Sequence, residues 1–317
     1  MSLDPFLSVV IVNWNAAALL KSCLAALREE VEAEGATHVE VIVVDNGSLD
    51  SSLAVARDVY AAVSLIELPE NVGFAAGCNA GFSVASGEWI ATLNNDVVVE
   101  RGWLGSLRRA ATKCDERCGM LQPHVLLAGL DKRVQSTGVV VTRTGNVRDR
   151  SRDVEEQSGF GPGAEVFCAS ASAAWYRRRM LDGVARGGPI FRPEYFMYFE
   201  DVDLGWRARL AGWSAQYVPE AIAVHAAHAS AARQTGGFVR RQCARNRMRL
   251  LLANGSASLV LRAGPRLLKD AVWLLLDGGP CALGGISSAL RDGFEGRRSL
   301  PSTWRNSRAA LERRWIE

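Results

Sequence analysis

The sequence predicts an α/β protein built on a mostly parallel sheet with flanking helices, followed by a helical C-terminal extension. Four short apolar runs, Ser8–Val12, Val39–Val44, Val63–Leu68 and Trp89–Leu93, alternate with helical stretches at Ala16–Glu34, Ser51–Tyr60 and Ala75–Ala85. Runs that are apolar throughout, with no polar alternation, belong to strands covered on both faces, and intervening helices make such strands parallel. From Phe238 onward the periodicity reads mainly as helices.

Each element has a local reason. Val9–Val12 is β-branched and runs straight into Asn13-Trp14-Asn15, so it reads as a core strand and not as the apolar stretch of a signal peptide. A fifth helix is expected from Gly102 to Lys113, after the fourth strand. Beyond residue 115 the alternation weakens. Gly138–Val141 with Gly145–Val147 reads as a hairpin opening a polar, Gly-rich loop over Arg148–Gly163, and loops of that length often serve as lids. Val166–Tyr176 returns to apolar character, and short strands are expected near Gln216–Val218 and Ala223–His225. The boundaries predict one nucleotide-facing half over 1–115, a second half of the same domain over 116–235, and the extension over 236–317.

Composition narrows the function classes. The 37 basic and 34 acidic residues of this 317-residue chain give a net charge of +3, too balanced for a general nucleic-acid binder. Lys21, Lys113, Lys132 and Lys269 are the only lysines, so the positive charge is nearly all arginine, the side chain suited to forked contact with phosphate. The seven cysteines are scattered and odd in number, which fits reduced thiols in a cytoplasmic protein better than a disulfide framework. Ala257–Leu276 carries Arg262, Arg266, Lys269 and Asp270, too many charges for a lipid-crossing helix.

In an open parallel sheet, ligands bind outside the carboxyl ends of the strands. Here all four ends are polar: Asn13-Trp14-Asn15, Asp45-Asn46-Gly47-Ser48, Asn71-Val72-Gly73 and Asn94-Asn95-Asp96. Each alone is an ordinary turn or helix cap. Four on one edge predict a shared site. The series Gly73, Gly77, Gly81 fits neither the dinucleotide fingerprint nor the phosphate-binding P-loop. It serves either close helix–sheet packing or a direct phosphate contact.

Taken together, Val10–Asn15, Val44–Ser48, Asn71–Phe74 with Asn79, and Leu93–Asp96 resemble the family 2 glycosyltransferases of the GT-A fold, in their rhamnosyltransferase-like branch. The resemblance implies that Asp45 contacts the nucleotide base and that Asn13 and Asn15 line the same pocket. Asn46, Ser48, Asn71, Gly73, Asn79 and Asn95 complete the nucleotide-sugar site, and Asp96 ligates a divalent metal, Mg²⁺ or Mn²⁺. The family's D-x-D signature stands here as Asn94-Asn95-Asp96, without its first carboxylate. Asn94 can still hydrogen-bond a ribose hydroxyl, but the site carries less negative charge.

The resemblance continues through Phe196–Asp203, where it makes Asp201 the base and Glu200 a contact for acceptor hydroxyls, while Asp203 is expected to pair with Arg207 one turn on. His225 is a candidate second metal ligand, with His228 a nearby competitor. Ser170 and Trp175, in the small-residue segment, are candidate acceptor contacts. The implied function is inverting transfer of a sugar, rhamnose among the options, from a dTDP- or UDP-linked donor to a saccharide or lipid-linked acceptor in cell-surface polysaccharide synthesis.

Rival readings are a sugar-phosphate nucleotidyltransferase, which lacks its Gly-rich basic loop here, and a non-catalytic nucleotide-sugar-binding protein, against which Glu200-Asp201 argues. The arginine-rich run Arg233–Arg249 reads either as a diphosphate contact or as a solvated helix face. The stripe Leu267, Leu268, Ala271, Val272, Leu275, Leu276 reads as packing against the catalytic domain or a second copy in a homodimer, with peripheral contact at the inner face of a membrane the rarer alternative.

Overall fold

The computed structural model describes residues 6–35, 38–129, 133–151, 161, 163–226, 236–279 and 281–316. The strands are β1 (Leu7–Asn13), β2 (Val39–Asn46), β3 (Ser64–Leu68), β4 (Trp89–Thr92), β5 (Val97–Val99), β6 (Cys118–Leu127), β7 (Val134–Ser136), β8 (Val139–Val141), β9 (Val147–Asp149), β10 (Trp175–Arg177) and β11 (Ser214–His225). The helices between them are α1 (Ala17–Ala33), α2 (Ser52–Val59), α3 (Gly73–Val84), α4 (Trp103–Lys113), α5 (Arg178–Ala185) and α6 (Glu200–Leu210). Four more follow: α7 (Gly236–Asn254), α8 (Ala257–Gly278), α9 (Cys281–Ser299) and α10 (Ser302–Trp315).

The main sheet runs β3-β2-β1-β4-β10-β6-β11-β5, with β7 on β6. Its first four strands are mutually parallel, as expected from their apolar runs, whereas β10 is antiparallel to both β4 and β6. Alternate residues of β1 face opposite cores. Leu7, Val9 and Ile11 pack with Leu20, Leu24 and Leu27 of α1, while Val10 and Val12 pack with Ala75, Cys78 and Phe82 of α3. Both faces are therefore dry.

The glycine series on α3 is settled by distance. A Cβ on Gly81 would lie 2.3 Å from Val10 Cγ1, and one on Gly77 would lie 2.8 Å from Val12 Cγ1, so these two glycines let the helix sit against β1. Gly73 differs. It has φ +87°, and a Cβ there would strike Phe196, so it lies at the edge of the site and not under the helix.

Three expectations are corrected. The chain beyond residue 115 supplies β6, a ten-residue fully buried strand between β10 and β11. Pro123 and the polar Gln122 and His124 interrupt its apolar pattern, and the register with β11 shifts between Val218 and Ile222, opposite Pro123 and His124. The two short strands expected near residues 216 and 223 are one bulged strand, β11. On α8 the buried side is Leu259, Ala263, Asp270 and Leu274, while Leu268, Val272, Leu275 and Leu276 face outward. Packing covers Leu267 and Ala271 of the stripe and leaves the other four residues bare. The hairpin formed as β8–β9, and the greater part of the loop expected after it lies outside the described residues.

Candidate active site

A cavity of about 640 Å³ opens at the carboxyl ends of β1, β2 and β4. The strand ends converge there through their own amides. Asn95 Nδ2 donates to Asn13 Oδ1 at 2.8 Å, joining the ends of β4 and β1. Asn46 Nδ2 donates to Asn71 Oδ1 at 3.0 Å, and Asn46 Oδ1 accepts from Val72 N, which sets the turn into α3. Asn15, at φ 48°, accepts from Leu49 N through its side chain and donates its backbone N–H to Ser48 Oγ. The left-handed conformation is one that asparagine tolerates.

Not every expected residue lies at the cavity. Asn46, Asn71, Gly73, Asn94, Asn95, Asp96, Ser170, Glu200, Asp201 and His225 line it. Asn13, Asn15, Asp45 and Ser48 form a hydrogen-bonded cluster behind that wall. Asp45 Oδ2 accepts from Ser48 N at 2.9 Å, while its buried Oδ1 has no partner among the described residues. Asn79 is placed elsewhere: both ends of its carboxamide bond the backbone of Phe191. Trp175 is fully buried in the core beneath the sheet, packed on Trp89 and Trp103. Asn79 and Trp175 are structural, because a motif or a segment fixes position along the chain but not the direction of a side chain.

Asp96 and His225 meet at the far wall. Asp96 follows β4, and His225 ends β11, which pairs with β5 just beyond Asp96. His225 Nε2 lies 2.9 Å from Asp96 Oδ1, and His225 Nδ1 lies 2.7 Å from Gln135 Oε1. Gln135 and Asp96 thus hold the two ring nitrogens of His225 from opposite sides and fix the plane of the imidazole. The separation of Asp96 and His225 suits adjacent ligands of one ion with bonds of about 2.1 Å, and Gln135 orients the imidazole as an outer partner does. Among the described residues no third His, Cys, Asp or Glu joins the pair, and His228 lies outside them. Two protein ligands suit a Mg²⁺- or Mn²⁺-type ion that keeps water and phosphate oxygens.

The same cavity is lined by Glu200 and Asp201, at the start of α6. The approach is strained: Phe196, Tyr198 and Phe199 have φ of 58°, 70° and 73°, each conformation costing roughly 1–3 kcal/mol. Helix α7 holds the strained segment. Gln242 Nε2 donates to Tyr195 O at 2.8 Å, and Asn246 Nδ2 lies within 2.9 Å of the carbonyls of Tyr195, Met197 and Tyr198. Below it, Asp203 bonds Arg207 at 2.8 Å, as its spacing predicts, and also Arg192 and Asn254. Burial raises the Asp203 pKa, but the two guanidiniums outweigh it and hold the carboxyl below its ordinary range.

Asp201 Oδ2 accepts from Ala171 N at 2.9 Å and Oδ1 from Val202 N at 2.7 Å. Desolvation, opposed by these amides and aided by the negative charge of Asp149, raises its pKa to about 6. Glu200 is pushed well above the carboxylate range, first by burial and then by Asp201, and its Oε2 has no partner among the described residues. A neutral acid beside a carboxylate that ionises near pH 6 is an acid–base pair. The small-residue segment forms the floor: Gln122 of β6 accepts from Ser170 N at 2.7 Å, placing Ser170, Ala171 and Ser172 along the cavity. Trp14, Gln135, Arg148, Asp149 and Arg247 also line it. Of these, Trp14 had a sequence signal as the residue between Asn13 and Asn15, Arg247 as part of the arginine run, and Arg148 and Asp149 as the start of the loop read as a lid, while Gln135 had none.

The glycosyl transferase family 2 profile matches residues 8–184. An N-acetylglucosaminyl-diphospho-decaprenol L-rhamnosyltransferase of Mycobacterium tuberculosis is 30% identical over 242 residues, covering 69% of this chain and 75% of that protein. A pre-mycofactocin glycosyltransferase of the same organism is 26% identical over 224 residues, 69% of this chain and 42% of the other. Among solved structures, a mannosyltransferase from Pyrobaculum calidifontis, in complex with GDP-Man and Mn²⁺, superposes with TM-score 0.56 at 18% identity. It covers 98% of this chain and 86% of that one. GalNAc-T7 with UDP, GalNAc and Mn²⁺ gives 0.64 at 14% identity over 98% and 58% of the two chains. The strand-end cavity, the sheet order and the profile agree, and the chain belongs to glycosyl transferase family 2, as a GT-A-fold glycosyltransferase of the rhamnosyltransferase-like branch.

Proposed function

We propose that the chain transfers rhamnose, with inversion, from a nucleoside-diphosphate donor to a hydroxyl of a lipid-linked saccharide during cell-surface polysaccharide assembly, at the cytoplasmic face of the membrane. The observation that carries this is the placement of Asp201, anchored by two amides, on the same cavity as the Asp96–His225 pair. The acceptor is supported by the relative whose substrate name contains a diphospho-decaprenol. Among the described residues no helix is long and apolar enough to cross a membrane.

In this reading Asp201 takes the proton from the acceptor hydroxyl as its oxygen bonds the anomeric carbon. The bond from that carbon to the diphosphate breaks, and the electron pair leaves with the diphosphate. Glu200, kept neutral by burial, donates a hydrogen bond to a neighbouring acceptor hydroxyl. Asp96 and His225 would hold a divalent cation, Mg²⁺ or Mn²⁺, which would neutralise charge on the departing diphosphate. A dTDP or UDP donor is favoured by the resemblance at Val44–Ser48, with Asp45 itself set behind the cavity wall. Trp14, 38% exposed at the cavity, offers a face on which a base stacks.

The test is a product assay. The chain is incubated with dTDP-rhamnose and with UDP- and GDP-sugars, each with Mg²⁺ or Mn²⁺ and a lipid-diphosphate-linked N-acetylglucosamine acceptor. A rhamnosyl product of inverted configuration is expected, and hexose transfer from a GDP-sugar alone would replace this assignment.

A further inference from the structure

A second cavity, of about 140 Å³, lies between α7 and α8. Its walls carry Arg240, Arg247, Arg266 and Lys269 against one carboxylate, Asp270. That carboxylate is already engaged, since Arg247 Nη1 reaches Oδ2 at 2.5 Å and Arg266 Nε lies 3.5 Å from Oδ1. Among the described residues Arg240 and Lys269 meet no carboxylate, and the Arg240 guanidinium stacks 4.0 Å above Trp273. Arg247 is only 6% exposed, and among the described residues its Nε has no hydrogen-bond partner. A buried guanidinium with an unused donor, beside further cations, is a site shaped for an oxyanion.

Two features select among oxyanions. Arg247 and Cys243 line this cavity and also the active-site cavity, so the two share a wall. Lys269 is bordered on α8 by Leu268 and Val272, and the outward stripe continues through Leu275 and Leu276, which are 38% and 82% exposed. Cationic pocket and apolar stripe are thus neighbours on one helix. A free phosphate would use the first and leave the second bare.

We propose that this cavity seats the diphosphate of a lipid-linked acceptor, whose apolar chain lies along the exposed face of α8 while its sugar reaches Asp201 past the shared wall. This rests on the transferase reading for the sugar end, but the diphosphate end is tested alone.

The experiment titrates geranyl diphosphate into the full chain by calorimetry, without metal or donor. The proteins are the unaltered chain, Arg266→Ala/Lys269→Ala, Arg266→Lys/Lys269→Arg and Asp201→Asn. The double alanine variant is expected to bind about tenfold or more weakly, with the charge-conserving pair and Asp201→Asn binding as the unaltered chain does. Inorganic pyrophosphate is expected to bind more weakly than geranyl diphosphate by about tenfold or more, because it has no chain to bury. No binding to the unaltered chain, unchanged binding by the double alanine variant, or equal loss in the charge-conserving pair would overturn the proposal. Equal affinity for pyrophosphate would overturn the lipid assignment. Since nothing is turned over, loss of the Asp201 assignment would leave these results standing, and the reverse holds.

Discussion

The carboxamide of Asn246 donates to the carbonyl of Tyr198 at 2.7 Å, two residues before Glu200, and shares its hydrogens with the carbonyls of Tyr195 and Met197. On its other side Asn246 Oδ1 accepts from Arg249 Nη1, and Arg249 Nε bonds Asp292 of α9. The C-terminal helices therefore hold the segment that leads into Glu200 and Asp201. Asn246 is a positioning residue. Asn246→Ala is expected to lower kcat by about 10–100-fold by displacing the acid–base pair, while donor affinity changes little. Its stability loss is expected to be about 1–3 kcal/mol. Equal losses in kcat and donor binding would indicate general unfolding instead.

The raised Asp201 pKa gives an acid limb. With Asp201 as the proposed base the carboxylate form is the active one, so kcat/KM is expected to fall tenfold per pH unit below about pH 6. The stability sign is opposite. The folded value, about 6, exceeds the ordinary 3.8, so the folded chain holds this proton more tightly. Asp201 therefore costs stability as pH rises from about 4 to about 6. Asp201→Asn is expected to melt higher than the unaltered chain at pH 7, with a smaller gap at pH 4, as paired thermal scans would read.

The Gln135–His225–Asp96 chain predicts how a divalent metal would be held. With a nucleoside diphosphate present, Asp96→Asn is expected to abolish Mn²⁺ binding measured by calorimetry. Gln135→Ala, which touches no metal, is expected to weaken it by about 10–100-fold. Mn²⁺ bound equally by all three proteins would place the ion elsewhere.

Helix α3 offers a stability test away from the chemistry. Gly81→Ala puts a methyl 2.3 Å from Val10 Cγ1 and is expected to cost about 1–3 kcal/mol by overpacking. Adding Val10→Ala is expected to return part of the lost Tm, which two separate defects would not do.

These predictions divide along what the chain's pattern could express. The parallel half was legible because Val9–Val12 and Val41–Val44 are buried on both faces and have no polar alternation to confuse with a helix. Strand β6 was not, since Pro123 sits where the ladder with β11 is irregular and tertiary pairing overrides local propensity. At the site, Asn46, Asn71 and Asp96 were readable as strand ends. Asn79 and Trp175 were misplaced because sequence gives no side-chain direction. Gln135 carries no signal, since a single glutamine on a short strand, β7, becomes meaningful only when folding brings it against His225, 90 residues away.

The central claim is that Asp201 is the base, and the most direct measurement compares Asp201→Asn with the unaltered chain for both donor affinity and transfer. Nearly isosteric, the amide still fits beside Ala171 N but cannot take a proton. The account predicts donor binding within about twofold and transfer reduced by about 10²–10⁴-fold or more. Transfer at the unaltered rate, with donor binding intact, would contradict it and move the proton to another group, with Glu200 and Asp149 further carboxylates on the same cavity.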